Sequence, residues 1–189
     1  MSTIIPTEFL GTPDAWEWAP PPGSIYRLTV EQEAMVSSGV FTKRDGLHLI
    51  DGNLVSKMTK KPPRVIACEK THDALRGTVG AGWRVMVEAP MRLSEHSEPE
   101  PDLALARGSA DDYPKDHPGP ADVPLIIEVA DSSLREDRRL DRIYGEAGVS
   151  VYWIINLVDR WVEVETGPRP DGYSRSPGRA SRGRWPRPT

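Results

Sequence analysis

With 189 residues, 38% of them apolar, the chain has room for one ordinary domain plus tails, and 19 Pro with 16 Gly assign much of it to turns. One cysteine, Cys68, excludes an internal disulfide framework, and no stretch nears the ~18 apolar residues of a membrane span. Net charge is −4, divided between a body of 18 basic and 27 acidic residues and a C-terminal stretch, 167–189, of six Arg and one Asp. So acidic a body is a poor non-specific DNA binder by charge alone but suits a carboxylate site that recruits cations. Met1-Ser2-Thr3 does not open a signal peptide, so a soluble, cytoplasmic protein without membrane partners is expected.

Residues 1–25 read as an irregular arm, because Pro6, Pro13 and Pro20-Pro21-Pro22-Gly23 forbid regular pairing. Thr29-Val30-Glu31-Gln32 forms a capping box, opening a short helix that stops near Gly39. Leu47 to Met58 predicts a β-hairpin turning at Asp51-Gly52, residues that accept positive φ. Pro62-Pro63 starts a helix whose buried stripe is Val65, Cys68, His72, Leu75 and Val79, ended by Gly80 and Gly82. Trp83, Val85 and Val87 alternate as a strand, Met91 and Leu93 extend the next, and Asp102 to Ala106 form another before a loop over 107–121.

Leu125-Ile126-Ile127 is a continuous apolar run, as in a central strand covered on both faces. Ser133-Leu134-Arg135-Glu136 is a second capping box, opening a charged helix that ends at Gly148. Val151 to Ile155 is the most hydrophobic strand, and Trp161 to Glu165 alternates like an edge strand; nothing periodic follows Thr166. The order predicts an α/β fold, a mixed β-sheet core flanked by helices over 26–166, with 167–189 as a disordered Arg/Pro/Gly-rich tail.

Two acids stand out. Asp102 follows Glu100-Pro101 at the start of a short apolar strand, and Glu128 interrupts Leu125 to Val129 where an apolar side chain belongs. Ionised carboxylates there are costly unless paired or bound to a cation. Mg²⁺ between them would remove their repulsion, needing only two carboxylates and a backbone carbonyl, that of Val129, besides its waters. Such an ion polarises a phosphodiester and acidifies water. The residues alone leave a second reading open, in which Glu128 pairs with an Arg and Pro101-Asp102 merely begins a turn.

Residues from about Tyr26 to Tyr173 resemble the Uma-type putative restriction endonuclease family of the PD-(D/E)XK nuclease superfamily. The resemblance is carried by Leu49-Ile50-Asp51-Gly52-Asn53-Leu54-Val55, Glu98-Pro99-Glu100-Pro101-Asp102-Leu103-Ala104 and Ile127-Glu128-Val129-Ala130-Asp131-Ser132-Ser133-Leu134. Tyr144, Ala147-Gly148-Val149 and Tyr152-Trp153-Ile154-Ile155-Asn156-Leu157 continue it. It implies a restriction-endonuclease-like core, a DNA substrate, Mg²⁺ with Mn²⁺ as a substitute, and a homodimer. Asp102 and Glu128 would be the metal ligands, supported by Asp137.

The chain departs from this pattern in several places. Ala130 stands where the superfamily has lysine, and Asp137 to Tyr144 contains no lysine to replace it. Arg138, Arg139 or Arg142 would have to supply the positive charge, without lysine's ability to move a proton. His48 replaces a glutamate, as a solvated strand residue or as a site residue. Arg64 replaces a helix-opening histidine and reads as an ordinary first-turn surface residue. The missing lysine, His48 and the Arg-rich tail together support an alternative, a catalytically inactive relative that binds nucleic acid or a protein. Asp111-Asp112 and Asp116-His117 read as solvated loop charge.

Overall fold

Local chemistry explains most of the elements in the computed structural model, which describes residues 27–32, 47–56, 60–174 and 183–184. The Thr29 box forms as expected: the Gln32 N–H donates to Thr29 Oγ1 at 3.3 Å and the Thr29 N–H to Gln32 Oε1 at 3.0 Å. Strands β1 (Leu47–Ile50) and β2 (Asn53–Ser56) pair antiparallel with Ile50 opposite Asn53. Asp51 and Gly52 form the two-residue turn at φ 49° and 78°, which fits the right-handed strand twist. The predicted arm 1–25, the stop near Gly39, the hairpin's end at Met58 and tail residues 175–182 and 185–189 lie outside the described residues.

Helix α1 (Pro62–Thr78) begins on two prolines, whose missing N–H groups cost nothing in a first turn. Its inward face differs from the expected stripe. Ala67, Cys68 and Thr71 are buried while Val65 is 40% exposed. The small Ala67 and Thr71 let the helix lie close to the sheet, and that rotates Val65 outward.

The main sheet contains β3 (Trp83–Val87), β4 (Leu103–Arg107), β5 (Leu125–Ala130), β6 (Val151–Asn156) and β7 (Trp161–Thr166). A short β10 (Gly183–Arg184) pairs with β7, so β7 is not the edge strand its alternation suggests. The order is β10-β7-β6-β5-β4-β3, with β5 and β6 parallel and every other pair antiparallel. All six β5 residues are buried, as a central strand requires. Alternation sends Leu125, Ile127 and Val129 toward the core that contains Ala67 and Cys68 of α1. Ile126 and Ala130 join the opposite core, with Ile143, Tyr144, Tyr152 and Tyr173.

Met91 and Leu93 are buried but form no ladder strand; the N–H groups of Met91, Arg92 and Leu93 donate to the carbonyls of Pro99, Pro118 and Ser97. The 107–121 loop includes a 3₁₀ turn, Ala110–Asp112, capped reciprocally by Ser109 and Asp112. The helix expected from Ser133 to Gly148 divides into α2 (Leu134–Asp137) and α3 (Leu140–Glu146), followed by Gly148 at φ 86°. Ser133 does not cap the first turn, because its hydroxyl donates to Asp137 Oδ2 at 2.7 Å.

Past Thr166 the backbone continues in ordered form: β8 (Pro168–Arg169) pairs with β9 (Gly172–Tyr173), and Tyr173 is buried. Gly145 and Gly172 touch so closely that a Cβ on Gly145 would collide with the Gly172 carbonyl. No helix among the described residues is long and apolar enough to cross a membrane.

Candidate active site

The antiparallel β4–β5 pair, with Leu103 opposite Ile127, brings the two singled-out acids together. Asp102 immediately precedes β4, and Glu128 sits in β5 on the face that α3 covers. They are coupled through the backbone: Asp102 N–H donates to Glu128 Oε2 at 3.2 Å, and Val129 N–H donates to Asp102 Oδ2 at 2.8 Å. Both are buried, as is Asp137 at the end of α2. The three acids line one cavity of about 150 Å³ with His48, Glu100 and Arg64.

The wall of this cavity fixes each carboxylate. Tyr144, from α3, donates its hydroxyl to Glu128 Oε1 at 2.9 Å. Arg64, in the first turn of α1, engages both oxygens of Asp102: Nη2 lies 2.9 Å from Oδ1 and from Oδ2, and Nε lies 3.2 Å from Oδ2. Its side chain is 14% exposed, so the sequence reading of Arg64 as a surface residue is wrong. The signal was present in the helix phase, because Arg64, Ala67, Cys68, Thr71 and Leu75 share one face at i, i+3 and i+4 spacing.

Three acids against one buried guanidinium leave an anionic excess, which the protonation equilibria reflect. Burial drives the Glu128 carboxyl well above the ordinary range, and the charges of Asp102 and Asp137 drive it further. Burial raises Asp137 to about 6, against the hydrogen bond from Ser133 and the charge of Arg64. Burial alone would lower the Arg64 guanidinium, but Asp102 foremost, then Glu128 and Asp137, hold it above its ordinary value.

Arg138 is not part of this centre. Its Nε donates to Glu163 Oε2 at 2.9 Å, which pins it toward β7. Arg142 pairs with Glu146 at 2.9 Å and lies 3.4 Å from Asp51. Proximity in sequence to Asp137 suggested the wrong arginines; the guanidinium that reaches the acids comes from α1. His48 lies on the cavity wall, half-buried, with Nδ1 3.4 Å from the Glu100 N–H. Burial pushes the Cys68 thiol up to about 12, so it acts as a packing group rather than a nucleophile.

In chemistry and charge the donor set fits a hard divalent cation: carboxylate oxygens in excess over positive charge. Among the described residues no group of three or more His, Cys, Asp or Glu side chains is arranged to hold a metal ion. The obstacle to this fit is Arg64, which occupies both Asp102 oxygens.

A mixed sheet flanked by helices, with a buried acid beside its central strand and another within it, is the arrangement expected of a restriction-endonuclease-like core. The family model of the Uma2 putative restriction endonucleases matches residues 41–186, and the chain belongs to that family. The crystal structure of a putative nuclease belonging to DUF820 from Anabaena variabilis ATCC 29413 shares the fold. Its TM-score is 0.59 at 14% identity, over 75% of this chain and 80% of that one. No curated protein matches the chain.

Proposed function

We propose that the protein is a Mg²⁺-dependent endonuclease that hydrolyses DNA phosphodiester bonds, with Mn²⁺ as a substitute ion. The observation that supports this reading best is the convergence of Asp102, Glu128 and Asp137 on one cavity with a single guanidinium. Asp102, Glu128 and the Val129 carbonyl would hold the ion, which when bound supplies Lewis-acid polarisation of the phosphate and acidifies water. Tyr144 and the Asp102 N–H orient Glu128, and the Val129 N–H orients Asp102. Asp137, poised at about 6, can exchange a proton in the neutral range. Arg64 lines the cavity as a permanent positive charge that a phosphate oxygen can meet but that cannot move a proton.

Plasmid DNA incubated with Mg²⁺ or Mn²⁺ tests this. The wild type should nick the plasmid, EDTA should stop it, and Asp102→Ala and Glu128→Ala should each lose about a hundredfold or more. Equal cutting by all three proteins would overturn the assignment.

A second reading, a relative that holds nucleic acid without cutting it, is favoured by Arg64 closing on Asp102 and by Ala130 in the lysine position. DNA retention in a gel shift with no cleavage under either ion would establish that reading instead.

A further inference from the structure

We propose that Arg64 is a built-in counter-cation that competes with the divalent ion for Asp102, so that ion capture at this site is an exchange of one cation for another. The inference rests on Asp102 and Glu128 being the ligands and adds what governs their affinity.

The guanidinium engages both oxygens of one ligand, with three contacts between 2.9 and 3.2 Å. The Val129 N–H already takes a further position on Oδ2. An ion approaching Oδ2 therefore has to displace a donor, and one approaching Oδ1 arrives beside the guanidinium. A guanidinium left in place would also lie close to a dication held by the same carboxylate, and like charges repel. The two occupants therefore compete for the same carboxylate.

Other cations near the cavity are held by other acids: Lys60 by Glu88 and Lys61 by Asp131, 3.8 Å away. Arg64 faces Asp102 from the first turn of a helix with two prolines at its start, so its backbone position is set by α1 rather than by a loop.

Mn²⁺ titration of the full chain without DNA, followed by the electron paramagnetic resonance signal of free Mn²⁺, tests the exchange. Arg64→Gln and Arg64→Ala should bind Mn²⁺ more tightly than the wild type by roughly tenfold or more, and adding Asp102→Asn should abolish the gain. Asp102-dependent binding of equal strength in the wild type and both variants would overturn the competition and leave the nuclease reading intact. No Asp102-dependent binding in any of them would overturn both. If the Arg64 variants are unfolded without ions, their melting in Mn²⁺ decides: recovery of the fold supports the exchange, and its absence contradicts it.

Discussion

Arg64→Ala puts a stability value on the contact that organises the site. The substitution leaves Asp102, 3% exposed, with the Val129 N–H as its remaining described donor. Removing one member of a buried ion pair typically costs about 3–5 kcal/mol, most of it the uncompensated charge left behind. The retained backbone hydrogen bond places this case toward the lower end, at about 3 kcal/mol. A domain of this size loses roughly 2–4 °C of Tm per kcal/mol, so melting should fall by roughly 6–12 °C. Urea denaturation in EDTA, run on the wild type, Arg64→Ala, Asp102→Asn and the double variant, gives the coupling directly. The account expects Arg64→Ala to cost much less once Asp102 is Asn, with a coupling above about 1.5 kcal/mol. A cost below about 1 kcal/mol, or additive single effects, would show that the pair is a surface-like contact and refute the reasoning.

Asp137→Asn should stabilise the protein near neutrality. A carboxyl raised from its ordinary 3.8 to about 6 favours the protonated form in the fold, so its contribution is present below pH 3.8 and is lost as pH rises through about 6. The loss amounts to on the order of 3 kcal/mol, reduced where neighbouring groups titrate with it. The variant should gain on the wild type at about pH 7.5 and not at about pH 3.5 in urea denaturation. Tyr144→Phe removes the donor to Glu128 Oε1 and should cost about 1–3 kcal/mol, measured the same way, with cleavage reduced in parallel. Gly145→Ala forces a methyl group into the Gly172 carbonyl and should lower stability by about 1–3 kcal/mol or more, seen as a drop in Tm.

Much of the framework was legible because it depends on local rules. Asp-Gly required a hairpin, Pro-Pro opened α1, and the apolar run around Glu128 marked the central strand. The polar residues in apolar strands singled out Asp102 and Glu128 but left open whether they share a site; the resemblance named the pair, and the β4–β5 register brings them together. Arg64 was not, because the apolar stripe chosen for α1 took Val65 as inward, whereas small residues set the actual phase. One residue of rotation moved a decisive cation from the surface into the cavity. The charge partner was sought near Asp137 in sequence, yet Arg138 answers to Glu163 on a distant strand, a pairing that only the sheet order creates. The 168–173 hairpin was missed because its strands are two residues each and hold through Tyr173 and the Gly145–Gly172 approach rather than through any periodic pattern.

Crystals soaked in Mn²⁺, of the wild type and of Arg64→Gln, would locate the ion directly by anomalous scattering. The account predicts one peak within coordination distance, about 2.0–2.3 Å, of both Asp102 and Glu128, with the Arg64 side chain turned away in the wild type. Anomalous density elsewhere, or none between those two carboxylates in either protein, would contradict it.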